Sequence, residues 1–233
     1  MAANSAEPPQ TYLITGHDTG IGKSWVTACF ARELVAAGKQ VQVIKPVETG
    51  VATAAPGDAE WIGEEAARAG GGNVTAHRLF SYPEPLAPVA AAARAGEALR
   101  FGALLEATNA LPRAQVRLIE GAGGIAVPLD ADLDLDWADF ASRLTPCRVI
   151  LVVEDRLGAI NQARLLDHYV RAHKLDAGFW LHTIQSPPSE VAHSNREALA
   201  QLRTPLWVES EADVPWLAAA TLKKRQPNPE LNL

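Results

Sequence analysis

The residues most able to do chemistry form a glycine-rich loop at positions 16–24, with the sequence GHDTGIGKS. An apolar run precedes it at 11–15, and an amphipathic run follows at 23–37. Glycines let such a loop turn its backbone N–H groups inward, where they and the helix N-terminus bind phosphate. Lys23 can reach the terminal phosphates, and the Ser24 hydroxyl can ligate magnesium. The spacing predicts a nucleotide-binding loop of the Walker A type with one extra residue.

Two other apolar runs end in charged residues that suit the same chemistry. The run at 40–45 ends in Lys45, within the sequence KPVETG, and the run at 116–120 ends in Glu120, followed by GAGG. A lysine there is either a solvated residue just past the strand or a buried cation that faces phosphates. A carboxylate that closes a strand beside a phosphate loop is a common magnesium ligand. Asp58 opens a helix and is either an ordinary N-cap or a further ligand.

Short apolar runs alternate with longer amphipathic ones along the chain. Strands are predicted at residues 11–15, 40–45, 116–120, 147–153, 178–183 and 205–208, and helices at 23–37, 58–68, 96–109, 160–173 and 189–202. The alternation predicts an α/β fold of the P-loop NTPase type, a three-layer, doubly wound, mostly parallel sheet in a single domain. The domain is expected at 11–222, between a disordered N-terminus (1–10) and a flexible tail (223–233).

Composition narrows the classes of function. The chain has 233 residues and a formal net charge of −6, without a basic stripe, which argues against nucleic-acid or anionic-membrane binding as a main role. Its two cysteines are far apart and do not suggest a zinc site. No signal-like or membrane-spanning apolar run is found, so a cytoplasmic protein is expected. The Asn-Lys-x-Asp motif of GTPases is absent from the sequence, which favours ATP.

Taken in order, these segments resemble the dethiobiotin synthetase family. The specific matches are the GxDTxxGKS loop, the KPVETG strand end, the Asp58 helix start and the EGAGG turn before Val127-Pro128-Leu129. Weaker matches lie at residues 84–88, 157–161 and 214–217. The resemblance spans residues 11–217. It implies a Mg-ATP-dependent, homodimeric ligase that carboxylates 7,8-diaminononanoate with CO₂ and closes the ring of dethiobiotin, through a carbamate and a carbamic-phosphoric anhydride, releasing ADP and phosphate.

The resemblance also implies roles for individual residues. Lys45 would pair with the carbamate, and Lys23 would stabilise the phosphoryl group during transfer. Magnesium would be held by Ser24, Asp58 and Glu120. The organic substrate would contact Thr19, Thr49, Asn161 and Asn195, the last two near a dimer interface. The nucleotide would contact Gly20, Ile21, Gly22, Lys23, Ser24, Trp25, Asp58, Glu120, Gly121, Ala122, Gly123, Thr183, Ile184, Pro215, Trp216 and Leu217.

Three positions depart from the pattern of the family. Gly20 stands where the family often has an acidic residue, and Val89 stands where it often has a histidine. Both departures bear on the substrate site. Thr183 stands where the family typically places an asparagine that reads adenine, which leaves the base preference open.

Other hypotheses remain open on the sequence. One is a related P-loop amidoligase or small-molecule kinase that acts on another acid, and another is a paralogue that binds nucleotide without turnover. The presence of Lys23, Ser24, Lys45, Asp58 and Glu120 argues against lost phosphoryl transfer. A switch-type ATPase of the partitioning kind would carry a second lysine early in its loop, and this loop has none.

Overall fold

A parallel sheet forms the centre of the computed structural model, which describes residues 10–52, 54–70 and 73–221. Within these residues the sheet has seven strands in the order β3-β2-β4-β1-β5-β6-β7, all paired in parallel. The strands are β1 (Gln10–Gly16), β2 (Val41–Thr49), β3 (Val74–Tyr82), β4 (Val116–Glu120), β5 (Cys147–Glu154), β6 (Asp176–His182) and β7 (Leu206–Val208).

Helices cover both faces of this sheet. They are α1 (Lys23–Ala36), α2 (Asp58–Gly70), α3 (Pro88–Arg94), α4 (Phe101–Ala110), α5 (Trp137–Arg143), α6 (Ala159–Ala172), α7 (Ser189–Ala200) and α8 (Val214–Thr221). On β1, Tyr12 and Ile14 pack in the apolar cluster that includes α1, α2 and α8, whereas Leu13 packs in the cluster that includes α3 to α7. The predicted three-layer, doubly wound fold is therefore confirmed.

The prediction that β2 ends at Lys45 is wrong, because the strand continues through Pro46 to Thr49. Proline has no backbone N–H to donate to a neighbouring strand, so it is rare where a strand is paired on both sides. Here the pairing of β2 with β4 ends at Ile44, so Pro46 lies where only β3 is a neighbour. The strand therefore carries the whole KPVET segment toward the phosphate loop.

Several elements lie outside the predicted ones. The edge strand β3 has one neighbour and is mostly half-buried, so its mixed polar and apolar sequence lacks a strand signal. The helices α3, α5 and α8 are each eight residues or shorter, too short for a clear helical period. The helix expected at 96–109 begins only at Phe101: Gly96 has a left-handed φ of 77°, and Arg100, the N-cap of α4, is extended.

The other predicted elements are present with small shifts at their ends. The strand expected at 178–183 runs from Asp176 to His182, which leaves Thr183 just beyond it. Gln10, assigned to the N-terminal tail, is the first residue of β1. The predicted loose ends at 1–9 and 223–233 lie outside the described residues, as does Leu222. No helix in the described ranges has the length and apolarity to cross a bilayer.

Candidate active site

The glycine-rich loop joins β1 to α1 at the carboxyl edge of the sheet. Gly22, the N-cap of α1, has a left-handed φ of 87°, and a Cβ there would lie 2.2 Å from the His182 ring. A Cβ on Gly16 would lie 2.4 Å from the Val152 carbonyl oxygen. These close approaches seat the loop on β5 and β6. Its N–H groups and the start of α1 therefore form an anion-binding position.

Lys23 lies across this loop. Its Nζ donates a hydrogen bond of 2.5 Å to the carbonyl oxygen of Asp18. Burial lowers the pKa of Lys23 to about 8, and repulsion from Lys45 adds to the lowering, against the attraction of Glu120. An anion at the loop would restore the stability of the ammonium form. Lys23 is thus placed and tuned to bind phosphate.

Lys45 lies between two carboxylates. Its Nζ is 2.6 Å from Asp58 Oδ2 and 2.5 Å from Glu120 Oε1, and Lys45 itself is 4 % exposed. The strand register explains this arrangement, because the preceding Ile44 pairs with Ile119 and brings Lys45 level with Glu120. Burial alone would lower the pKa of Lys45, but the two carboxylates outweigh it and raise the pKa. Lys45 is therefore a buried, charged ammonium and not a solvated lysine.

Glu120 receives hydrogen bonds from α1 as well as from Lys45. Ser24 Oγ donates to its Oε1 and Thr27 Oγ1 donates to its Oε2, each at 2.9 Å. Glu120 is only 1 % exposed, so these bonds replace those that water would make. Asp58, at the start of α2, has a pKa that burial would raise but that Lys45 holds below its usual value. The three predicted magnesium ligands, Ser24, Asp58 and Glu120, therefore meet around Lys45.

This oxygen donor set fits magnesium, a hard cation that is commonly bound through one or two carboxylates, waters and substrate phosphates. The space between Asp58 and Glu120 already accommodates a cation, the Lys45 ammonium. Among the described residues no group of three or more His, Cys, Asp or Glu could form a metal site alone. Waters and phosphate oxygens are the further ligands that magnesium usually takes.

A cleft of about 850 Å³ is lined by residues 16–19 of the glycine-rich loop and by residues 122–127, which follow Glu120. Thr19 and Thr49, two of the predicted substrate ligands, line it together with Ala122 and Gly123. Residues 85–88 and the side of α6 that carries Gln162, Leu165, Leu166 and Tyr169 also line it. The cleft is large enough for a small organic ligand and lies next to the anion-binding loop.

The two asparagines predicted to contact the substrate lie elsewhere. Asn161 is exposed on α6 and is not among the residues that line the cleft, whereas its neighbour Gln162 is. Asn195 is 2 % exposed, and its amide donates to Asp155 Oδ1 at 2.7 Å and to the Arg156 carbonyl at 3.1 Å. These bonds hold α7 against the loop before α6. The structure does not bring Asn195 to the cleft.

The remaining residues predicted to contact the nucleotide differ in their burial. Gly20 and Trp25 are exposed, and Trp25 stacks on Trp61 of α2 with ring centroids 6.4 Å apart. Ile21 and Leu217 are buried in the apolar core, and Gly121 packs under Trp137. Thr183 and Ile184 are exposed directly after β6, and Pro215 is exposed on α8. The side chain of Trp216 lies outside the described part of the structure.

Sequence reasoning missed several residues of the site. Thr27 lies one helical turn after Lys23 and Ser24, so the helical period could have placed it on their face. Gln162 and Tyr169 were not predicted, since only the packing of α6 against the cleft identifies them. Val89, one of the family departures, is partly buried against the core in α3.

Solved structures of known proteins share this fold. A plasmid partition protein from Borrelia burgdorferi matches with a TM-score of 0.53 at 16 % identity, covering 93 % of this chain and 97 % of that one. The MinC:MinD cell division protein complex of Aquifex aeolicus matches with a TM-score of 0.53 at 13 % identity, covering 94 % and 98 %. At these identities the likeness establishes the fold alone.

Proteins that are similar in sequence identify the family, which the shared fold does not. A family profile described as "AAA domain" matches residues 10–218. Proteins named ATP-dependent dethiobiotin synthetase BioD match at 36 % identity in Rhodococcus erythropolis, with 82 % of this chain and 83 % of the relative covered. Those of Streptomyces avermitilis and Xanthomonas oryzae pv. oryzae match at 39 % (82 % and 77 % covered) and 35 % (89 % and 92 % covered). The chain belongs to the ATP-dependent dethiobiotin synthetase family.

Proposed function

We propose that this protein is a dethiobiotin synthetase, an ATP-dependent ligase of biotin biosynthesis that converts 7,8-diaminononanoate and CO₂ to dethiobiotin. The observation that carries the proposal is the position of Lys45. It is buried between Asp58 and Glu120, and the strand that carries it ends at Thr49, which lines the cleft together with residues of the phosphate-binding loop. A reaction that joins two anionic groups, a carbamate and a phosphate, requires fixed cations at that junction.

Each side chain of the site would have its own role in this reaction. Thr19 and Thr49 line the cleft and would hold the diamine. Two of the three N–H donors of Lys45 are directed to carboxylates, and the third would pair with the carbamate formed when a substrate amine takes up CO₂. Lys23 would stabilise the phosphoryl group as it passes from ATP to the carbamate. The second amine then attacks the mixed anhydride, which closes the cyclic urea and expels phosphate.

We also propose magnesium as the metal, held by Ser24, Asp58 and Glu120. Bound there, it would supply positive charge beside the phosphates of ATP. The protein contributes the two carboxylates and the hydroxyl that gather at the Lys45 ammonium. Further nucleotide contacts would come from the backbone of the loop and from Thr183 and Ile184, exposed after β6.

A homodimer in the cytoplasm is the proposed form of the enzyme. Leu157 and Leu165 are 82 % and 63 % exposed, and Leu165 also lines the cleft. Exposed leucines beside a ligand cleft are suited to an interface with a second copy. In such a dimer the exposed Asn161 could face the organic substrate of the partner.

Phosphate release from Mg-ATP tests the proposed function. The rate is measured with bicarbonate, with and without 7,8-diaminononanoate, for the wild type, Lys45→Ala and Glu64→Ala. Glu64 is an exposed residue of α2 and serves as the matched control. We expect the diamine to stimulate release strongly in the wild type and the control but not in Lys45→Ala. ATP binding without any response to the diamine would instead indicate a relative with another acid substrate.

A further inference from the structure

Glu48 lies three residues beyond Lys45 on β2 and is buried, with 3 % of its surface exposed. Its Oε1 accepts a hydrogen bond of 2.6 Å from the backbone N–H of Asp58. The same strand therefore holds Asp58 at two places. Lys45 binds its side chain, at 2.6 Å, and Glu48 binds its backbone.

This contact replaces a missing helix cap. The α2 helix begins at Asp58, and the residue before it, Gly57, has no side chain that could accept a hydrogen bond from the first N–H groups. Glu60 performs one half of a capping box, since its Oε2 accepts from the Gly57 N–H at 2.9 Å. Glu48, from a neighbouring strand, supplies an acceptor to the helix start.

The identity of residue 57 agrees with this arrangement. A Cβ built on Gly57 would lie 2.5 Å from Glu48 Oε2 and 2.6 Å from Glu48 Oε1. Such distances are far inside van der Waals contact, so any larger residue would displace the carboxylate or the loop. A glycine at this position lets Glu48 approach the backbone of α2.

Arg78 of β3 closes the network from the other side. Its Nε lies 4.0 Å from Glu48 Oε2 and 3.5 Å from Glu60 Oε1. Its Nη2 donates to the Ala55 carbonyl oxygen at 2.9 Å. The guanidinium thus joins the two glutamates to the segment that leads into α2, and a buried carboxylate gains a cation nearby.

We infer that Glu48 is a positioning residue for Asp58, which fixes the start of α2 so that the Asp58 carboxylate meets Lys45 and the metal-binding position. The inference rests on the proposed function, because the role of Asp58 as a metal ligand belongs to it. Residues that orient a metal ligand typically contribute a factor of about 10 to 100 in metal affinity or activity.

The test measures Mn²⁺ binding by electron paramagnetic resonance to the protein saturated with a non-hydrolysable ATP analogue. The variants are Glu48→Ala, Glu48→Gln and Gly57→Ala, with Glu64→Ala as the control on the exposed side of α2. We expect Glu48→Ala and Gly57→Ala to weaken Mn²⁺ binding by about tenfold or more. Glu48→Gln retains an oxygen acceptor for the Asp58 N–H and should stay within about threefold of wild type, a loss under about 0.7 kcal/mol.

Unchanged Mn²⁺ affinity in Glu48→Ala would overturn the inference, and so would equal losses in Glu48→Ala and Glu48→Gln, because a cap needs the oxygen acceptor and not the charge. If Glu48→Ala fails to fold, the Mn²⁺ affinities of Gly57→Ala and Glu48→Gln are compared instead, and the inference again predicts a loss in the first variant only. Failure of the proposed function is seen separately, as a wild type that binds Mn²⁺ and nucleotide but shows no diamine-dependent phosphate release.

Discussion

Glu120 is the residue around which the other groups of the site are arranged. It accepts hydrogen bonds from Lys45, Ser24 and Thr27, so a carboxylate with almost no contact to solvent has donors on both oxygens. An unpaired carboxylate in such surroundings would be strongly destabilising. The hydrogen bonds to Glu120 therefore fix the position of its carboxylate and contribute to the stability of the fold.

Thr27→Val tests this view at a residue that belongs to no binding motif. The hydroxyl of Thr27 lies 2.9 Å from Glu120 Oε2 and 2.8 Å from the Lys23 carbonyl oxygen. Its loss leaves one oxygen of Glu120 without this donor, which should lower the free energy of unfolding by about 1–2 kcal/mol. Urea unfolding measures the change. Thr27→Ser retains the hydroxyl and should recover most of the stability, and equal losses in both variants would show that packing alone is responsible.

The predicted and observed sites agree where strand ends decide the geometry. Glu120 closes β4, and Lys45 follows Ile44, the last residue of β2 that pairs with β4, so the parallel sheet brings the two side chains together. Asp58 joins them from the start of α2. Thr27 and Glu48 were missed because their roles depend on which side chains face each other between elements. Asn195 was predicted to contact the substrate because of its residue type, but its amide instead holds α7 to the loop before α6.

At the scale of the element, the packing of β6 against β7 leaves no room for a side chain at position 178. A Cβ on Gly178 of β6 would lie 2.0 Å from the ring of Trp207. Gly178→Ala should therefore lower the free energy of unfolding by about 1–3 kcal/mol, because the indole must move. The matched control is Gly102→Ala in α4, where no atom lies within 4 Å and alanine should stabilise the helix by about 0.5–1 kcal/mol. A similar effect at both positions would contradict the packing of β6 against β7.

The α6 helix is held in place by a buried carboxylate. Asp167 of α6 accepts hydrogen bonds from the Thr204 N–H at 2.9 Å and from its hydroxyl at 2.7 Å, which ties α6 to the segment before β7. Burial alone would raise the pKa of Asp167, but the Thr204 bonds outweigh it and lower the pKa. A carboxyl whose pKa is lower in the folded state stabilises the fold above its unfolded pKa of about 3.9 and loses that contribution as the pH falls.

Asp167→Asn should therefore lower the free energy of unfolding at pH 7 by about 1–2 kcal/mol, a typical difference for a hydrogen bond to a charged group. The gap from wild type should narrow as the pH falls below about 4. Urea unfolding between pH 7 and pH 3 measures both quantities. Glu190→Gln, an exposed carboxylate on α7, should show little effect at any pH. A gap that does not depend on pH would rule out a contribution from the charge.

Elements with a strong period or a continuous apolar run were predictable, among them β1, β5 and α6. Edge strands and short helices were not, because their stability comes from contacts with the rest of the fold. The continuation of β2 through Pro46 depends on where its pairing with β4 stops, which a single sequence does not specify.

For the whole molecule, the parallel sheet places every proposed catalytic group at one edge and leaves the cleft open beside α6. If the protein is a homodimer, its mass in solution should be twice 24.9 kDa by light scattering. Leu165→Glu places a charge on the exposed leucine of the cleft wall and should shift the mass to that of one chain. The same change at Leu133, which is exposed but does not line the cleft, should leave the dimer intact. A monomeric wild type would refute the proposed interface.

The most direct test of the proposed ligase is the fate of the carbon from bicarbonate. The protein is incubated with Mg-ATP, 7,8-diaminononanoate and ¹³C-bicarbonate, and the products are analysed by mass spectrometry. We expect dethiobiotin that carries one labelled carbon, formed in equal amount with ADP and absent when Lys45→Ala replaces the wild type. Unchanged diamine, or ADP formed without any labelled ring product, would contradict the assignment of this cleft to ring closure.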